Sequence, residues 1–157
     1  MINFSIKLIK KQFVLVFLLM LLCTSVLSIE NKIVLKIENE IITNIDIYNE
    51  VNYLKALNNN LNNLDTDKIL TIGKTSLIRQ KIKEIEISKH NIKKISDDYL
   101  ESIVKTIYTK ISLNSKEEFI NYLANFDIKI STIEKKLSHE AQWNQLIYNK
   151  FYEKLKI

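Results

Sequence analysis

A chain of 157 residues with no proline and a single glycine, Gly73, lacks the residues that turn a backbone at short intervals. An all-β fold needs turn signals roughly every 8–12 positions, so that class is excluded. The expected fold is mainly α, a helical domain with one short N-terminal pair of β-strands. The strands belong to Lys32–Val51, KIVLKIENEIITNIDIYNEV. Ile33, Leu35 and Ile37 alternate with Val34, Lys36 and Glu38, which is strand periodicity. Glu38-Asn39-Glu40 breaks the run, Asn tolerating the conformations of a turn, and Ile41-Ile42 resumes it. Thr43-Asn44-Ile45-Asp46 then reads as a capping box, and Ile47, Val51 and Leu54 follow at helical spacing.

Downstream the helices are marked by their ends. Asparagine favours turns, so Leu57 to Asn63 reads as a flexible loop or frayed helix end. Asp65 or Thr66 caps a long helix to about His90, with Leu77-Ile78, Ile82 and Ile85 as its apolar side. Gly73 inside that helix costs up to about 1 kcal/mol against alanine, and a close helix crossing would be the reason to keep it. Asn91 fits the left-handed position after the helix, which predicts a Schellman contact between Ile87 and Ile92. Ser96 caps the next helix, with Asp97-Asp98 favourable in its first turn and Leu100, Ile103, Ile107 and Ile111 as its stripe. Ser115-Lys116-Glu117-Glu118 is a second capping box, followed by Phe119, Ile120 and Leu123 on one face. Ser131-Thr132-Ile133-Glu134 is a third, opening a final helix that runs nearly to Ile157.

The formal charge of +5 is unevenly placed. Lys7, Lys10 and Lys11 precede the apolar run Phe13 to Leu22, and no acid occurs before Glu30. Without residues 1–28 the basic residues fall from 23 to 20 against 18 acids, a net of +2. The basic balance is therefore partly a targeting signal and poor evidence for nucleic acid as a partner. Residues 1–28 fit a secretory signal peptide, with cleavage expected between Ser28 and Ile29, and residues 29–157 form the mature domain. The apolar run is shorter than the about 20 residues that span a bilayer. Extending it from Val14 through Leu27 gives the alternative, an uncleaved inner-membrane anchor. Leu22 is bulky where a lipoprotein signal carries a small residue, which argues against lipidation of Cys23. If Cys23 leaves with the signal, the mature chain has no thiol for a disulfide.

The strand, turn, strand, cap, helix order of I-V-L-K-I, Glu38-Asn39, E-I-I-T and Asp46 resembles the start of the mature domain in the SurA-like periplasmic chaperone family. Leu77-Ile78, followed by Asn91-Ile92-Lys93-Lys94-Ile95-Ser96-Asp97-Asp98, extends the resemblance. There the family carries an apolar pair on a long helix, then Gly-Val or Gly-Ile, then Ile-Ser-Asp. This chain departs by Asn for Gly and by one added lysine, both in a loop. The short helix, the break near Phe126 to Ile130 and the long last helix complete a resemblance that covers residues 32–157. It implies a chaperone-like module in the periplasm that shields unfolded outer-membrane and other envelope proteins without ATP or any cofactor. In the family the last helix leads into parvulin isomerase domains and a C-terminal segment that packs back on the first. The sequence here stops at Leu155-Lys156-Ile157, about where the first parvulin domain would begin. The expectation is no prolyl isomerase activity, with a family isomerase, or an adaptor subunit completed by a partner chain, as the alternatives.

No catalytic or metal constellation is evident. His90 reads as a helix-end cation and His139 as a polar residue beside a helix stripe, neither with a cluster around it. Asp97-Asp98 are explained by the helix start, and the pairs Lys93-Lys94 and Lys135-Lys136 by solvation. There is no glycine-rich phosphate loop. On the last helix Ile133, Leu137, Ala141, Ile147, Tyr148, Phe151 and Leu155 share one side. Trp143 and Leu146 fall off that stripe and are the candidate client or partner contact. The competing reading is a helix covered on two sides within a bundle.

Overall fold

The computed structural model describes residues 30–155, with side chains to Tyr152. The expected signal peptide and its expected cleavage site, Ser28 and Ile29, lie outside the described residues. Two antiparallel strands, β1 (Ile33–Ile37) and β2 (Glu40–Thr43), precede five α-helices: α1 (Asn44–Leu57), α2 (Thr66–Lys89), α3 (Asp97–Lys110), α4 (Lys116–Ala124) and α5 (Ile130–Leu155). The fold is thus mainly α with a short N-terminal strand pair, as expected. Among the described residues no helix is long and apolar enough to cross a membrane.

The hairpin turns at Glu38-Asn39 as expected, with Glu38 rather than the asparagine in the left-handed region at φ 50°. Its register pairs Ile37 with Glu40 and Leu35 with Ile42, then slips between Leu35 and Ile33. This bulge ends the expected alternation. Leu35 and Ile37 face inward, whereas Ile33 is left 68% exposed. Thr43 closes the hairpin and caps α1: its hydroxyl accepts from the Asp46 amide, and the Asp46 carboxylate accepts from the Thr43 amide at 2.8 Å. Two ion pairs strap the hairpin to α2, Lys81–Glu40 at 3.0 Å and Lys89–Glu38 at 3.2 Å.

Leu57 to Asn63 is more ordered than its composition suggests. Asn59–Asn63 form a 3₁₀ turn, and the Asn58 side chain accepts from the Asn60 amide at 3.2 Å. Asp65, not Thr66, caps α2. Helices α1 and α2 cross at Gly73, where a Cβ would lie 2.6 Å from Val51 Cγ2 and 3.4 Å from the Ile47 carbonyl oxygen. The glycine is therefore kept for a close crossing. The buried positions of α2 are Ile69, Gly73, Leu77 and Ile87. Ile82 is instead 47% exposed, because the line of contact with α1 leaves it on the outer side.

The end of α2 is not the expected Schellman motif. His90 is extended, Asn91 is not left-handed, and the Ile92 amide donates to the His90 carbonyl at 2.6 Å. The motif occurs at the next two helix ends. At the end of α3, Ser112 has φ 65°, with Ser112 N donating to Thr109 O and Leu113 N to Tyr108 O. At the end of α4, Asp127 has φ 57°, with Asp127 N donating to Ala124 O and Ile128 N to Leu123 O. In each case the apolar residue after the turn packs on the main core, as that motif favours.

Ser96 caps α3 as expected, and Val104 is its most buried residue. Ser115 caps α4, but Glu118 reaches back to the amide of Asn114 rather than Ser115. Ile120 is 41% exposed, off the face of Phe119 and Leu123. Helix α5 begins at Ile130, one residue before Ser131, so Ser131 lies inside the first turn and is not its cap. The Thr132 amide donates to the Lys129 carbonyl at this end.

Two apolar cores result. The larger joins Ala56 of α1, Val104 of α3, Phe119 and Leu123 of α4 and Ile133 of α5. Tyr122 anchors it by donating to the Ala56 carbonyl at 2.8 Å, and burial pushes its phenol pKa up. The smaller joins Ile42, Ile47 and Leu77, with Leu35 and Ile37 of the hairpin packed on it.

Candidate functional site

A polar network links α1, α2 and α5. Glu50 comes from α1, one turn after Ile47, and is only 3% exposed. A bare carboxylate at such a depth is costly unless paired. Ser76 of α2 donates to its Oε1 at 2.7 Å, and Lys136 of α5 donates to its Oε2. Lys136 also donates to the Gln80 side-chain carbonyl and lies 4.2 Å from the centroid of the Tyr53 ring. Each of its directions is therefore taken by an acceptor or a π face. Burial first, then the charges of Glu50 and Glu140, raise the Tyr53 phenol from 10.0 to about 12.

One turn along, Gln80 donates to Glu84 at 2.8 Å and Lys81 donates to it at 3.3 Å. His139 Nδ1 sits 3.0 Å from Glu84 Oε1. Since a carboxylate only accepts, that nitrogen carries the proton. Burial works to raise the Glu84 pKa. Hydrogen bonds from Gln80, Lys81 and His139, with the Lys81 charge, outweigh it and hold the carboxyl below its usual range. Burial likewise works to lower Lys81, and pairing with Glu40 and Glu84 overrides it, leaving the ammonium pKa raised. His139 thus has a cluster around it, and Lys136 is not a solvated lysine; both differ from the sequence expectation. His90 remains exposed at the helix end. Among the described residues no group of His, Cys, Asp and Glu is placed to hold a metal ion.

The network divides two clefts. The larger, about 630 Å³, lies between α1, α2 and α5. Helix α2 supplies Ile72, Ser76, Arg79 and Lys83 at a helical repeat; α1 supplies Tyr53 and Leu54; α5 supplies Leu137 and Glu140. The smaller, about 340 Å³, lies towards Ile42, Leu77 and Ile128. Glu50, Tyr53, Gln80 and Lys136 line both, so the Lys136–Glu50 pair is a crossbar between them. Apolar and charged side chains both line the first cleft, which suits it to an amphipathic segment.

The structure separates the two candidate contact residues. Leu146 is 6% exposed, so it belongs to the covered interior and does not present a surface. Trp143 is half-buried, with Lys83 Nζ 5.7 Å from its ring centroid. Lys83 is itself held by both oxygens of Glu140, at 2.8 and 2.6 Å. Trp143 is thereby coupled to the rim of the larger cleft through Lys83. Beside it Gln142, buried, donates to the Lys93 carbonyl at 3.4 Å and ties α5 to the loop before α3. The later part of the expected core side stands out instead, whereas Ile133 is buried: Tyr148 is 55% exposed and packs on Tyr152 at 4.8 Å.

No family model, no curated protein and no solved structure matches this chain.

Proposed function

We propose that this chain is an exported, ATP-independent chaperone-like module of the SurA-like kind. It binds apolar and aromatic segments of unfolded envelope proteins, outer-membrane precursors foremost, in the periplasm. The reading is of a binding module, without catalysis and without a cofactor. The single observation that carries it is the cleft of about 630 Å³ between α1, α2 and α5, lined by the apolar or aromatic side chains of Tyr53, Leu54, Ile72 and Leu137 together with charged ones. Client shielding needs such a surface, since reversible burial of apolar area is the driving force for holding an unfolded segment. The order of strand, turn, strand and capped helix, quoted above as the family likeness, supports it. The lysine-led apolar run at residues 7–22 supports export.

The test is aggregation of a chemically unfolded outer-membrane protein diluted into buffer with and without the purified protein. Suppression near equimolar ratio is expected, and light scattering that rises unchanged overturns the reading. On the same preparation, a proline-peptide assay is expected to run at the uncatalysed rate. Mass spectrometry of the native protein is expected to find an N-terminus near Ile29; a retained Met1 in the membrane fraction would favour the anchor.

A further inference from the structure

We propose that the larger cleft takes extended peptide segments in which an apolar side chain lies near a carboxylate, and that the Arg79 guanidinium holds that carboxylate. The proposal deepens the client-binding reading and rests on it. It starts from the charges around the cleft. Lys136 is taken by Glu50 and Gln80, Lys83 by both oxygens of Glu140, and His139 by Glu84. Glu50 is taken in turn by Ser76 and Lys136. Arg79 alone among these lining cations has no hydrogen bond or ion pair with any described residue, and it is exposed at the mouth. The cleft therefore presents one uncommitted positive charge, and its complement is an anion.

The chemistry of the residue narrows the anion. Arg79 is the only arginine among 23 basic residues; every other one is lysine. A guanidinium offers a planar fork that matches a carboxylate in two parallel hydrogen bonds, which an ammonium cannot do. Its position narrows the ligand further. Ile72 and Arg79 lie on the same face of α2, two turns apart, about 10 Å along the axis. An extended chain covers that distance in roughly three residues. A segment carrying an apolar side chain and an acid two to four positions apart would meet both. The chain's own N-terminal stretch is a poor occupant on the same ground, because residues 1–29 contain no acid.

The experiment uses the purified protein and fluorescein-labelled extended peptides. One carries phenylalanines and a glutamate at that spacing, the others glutamine or lysine in place of the glutamate. Fluorescence anisotropy is expected to give the glutamate peptide roughly tenfold tighter binding than the glutamine one, the order a charge-assisted hydrogen bond contributes. Arg79→Gln should erase that difference, and Arg79→Lys should restore only part of it. The peptide comparison on the unaltered protein stands even if a variant folds poorly. Equal binding of the glutamate and glutamine peptides overturns the carboxylate assignment and leaves client binding intact. Failure to bind any peptide, together with no suppression of aggregation, overturns the client reading itself. Self-association that Arg79→Gln abolishes assigns the cleft to a second copy of this chain and overturns the proposal.

Discussion

Lys136 and Glu50, 86 residues apart, form an ion pair in the interior, with Glu50 3% and Lys136 15% exposed. Such a pair is tied to fold specificity more than to net stability, because desolvating both charges offsets much of their attraction. The two single changes and the double change should therefore behave differently. Glu50→Ala or Lys136→Ala leaves one charge buried and alone, and each is expected to destabilise by about 3–5 kcal/mol. Glu50→Leu with Lys136→Met removes both charges and should be near neutral or stabilising in urea denaturation. A double variant as weak as either single one would mean that the pair contributes net stability.

Gly73 tests the crossing of α1 and α2. On an open helix surface Gly73→Ala would stabilise by roughly 1 kcal/mol. Here the new Cβ would meet Val51 Cγ2 at 2.6 Å, and valine is stiff in a helix. Overpacking of this kind costs typically about 1–3 kcal/mol, so the expected result is a lower melting temperature. Val51→Ala alone leaves a small void, and combining it with Gly73→Ala should recover part of the loss. An increase in stability for Gly73→Ala alone would show that the two helices separate freely.

The caps other than Ser131 were legible because their chemistry is local. Thr43 with Asp46, Asp65, Ser96 and Ser115 each satisfy amides within three residues of themselves. The reason for Gly73 was legible too, since a glycine inside a long helix needs a close neighbour. The left-handed turns were placed wrongly. Asn91 has the side chain for one, but the true sites are Ser112 and Asp127, where Leu113 and Ile128 gain burial by folding back. That gain is tertiary and leaves no mark in a four-residue window. The network was missed for the same reason. Glu50 looks like any solvated acid on α1 until Ser76 and Lys136 are brought to it from 26 and 86 residues away. Leu146 and Tyr148 exchanged roles because α5 packs on α2 and α3 along a line that a single-helix stripe cannot show.

The same network sets a pH dependence at both ends of the scale. Glu84 is held below its usual range in the folded chain. A lowered carboxyl contributes stability that is present above its unfolded value and lost as pH falls through the folded one. Tyr53 runs the other way, from 10.0 to about 12. Between those values the unfolded chain gives up its phenol proton while the folded one keeps it, so stability falls as pH rises from 10.0 towards 12. Denaturation followed from acid to alkali should show both slopes. Glu84→Gln should flatten the acid one, and Tyr53→Phe should reduce the alkaline one, to which Tyr122 and Lys81, also raised, contribute the rest, each change leaving the other slope in place. A slope left wholly unchanged by its own substitution belongs to other groups.

Trp143 and Leu146 now call for opposite outcomes. Leu146, 6% exposed, should behave as core, and Leu146→Ala should destabilise by about 2–5 kcal/mol. Trp143 is half-buried under Lys83, so its replacement should cost less in stability and act on the cleft instead. Without the indole, Lys83 loses the π face that helps fix it, and the rim it forms with Glu140 becomes less ordered. Trp143→Leu keeps apolar bulk and removes the π face. It is expected to melt within a few degrees of the parent while holding clients less well. Trp143 is also the chain's only tryptophan, so its fluorescence reports on this rim without a label. Client addition should change the emission of the parent, and Lys83→Met should shift the emission before any client is added. A Trp143→Leu protein that holds clients as well as the parent, with emission in the parent insensitive to client, would remove this residue from the binding surface altogether.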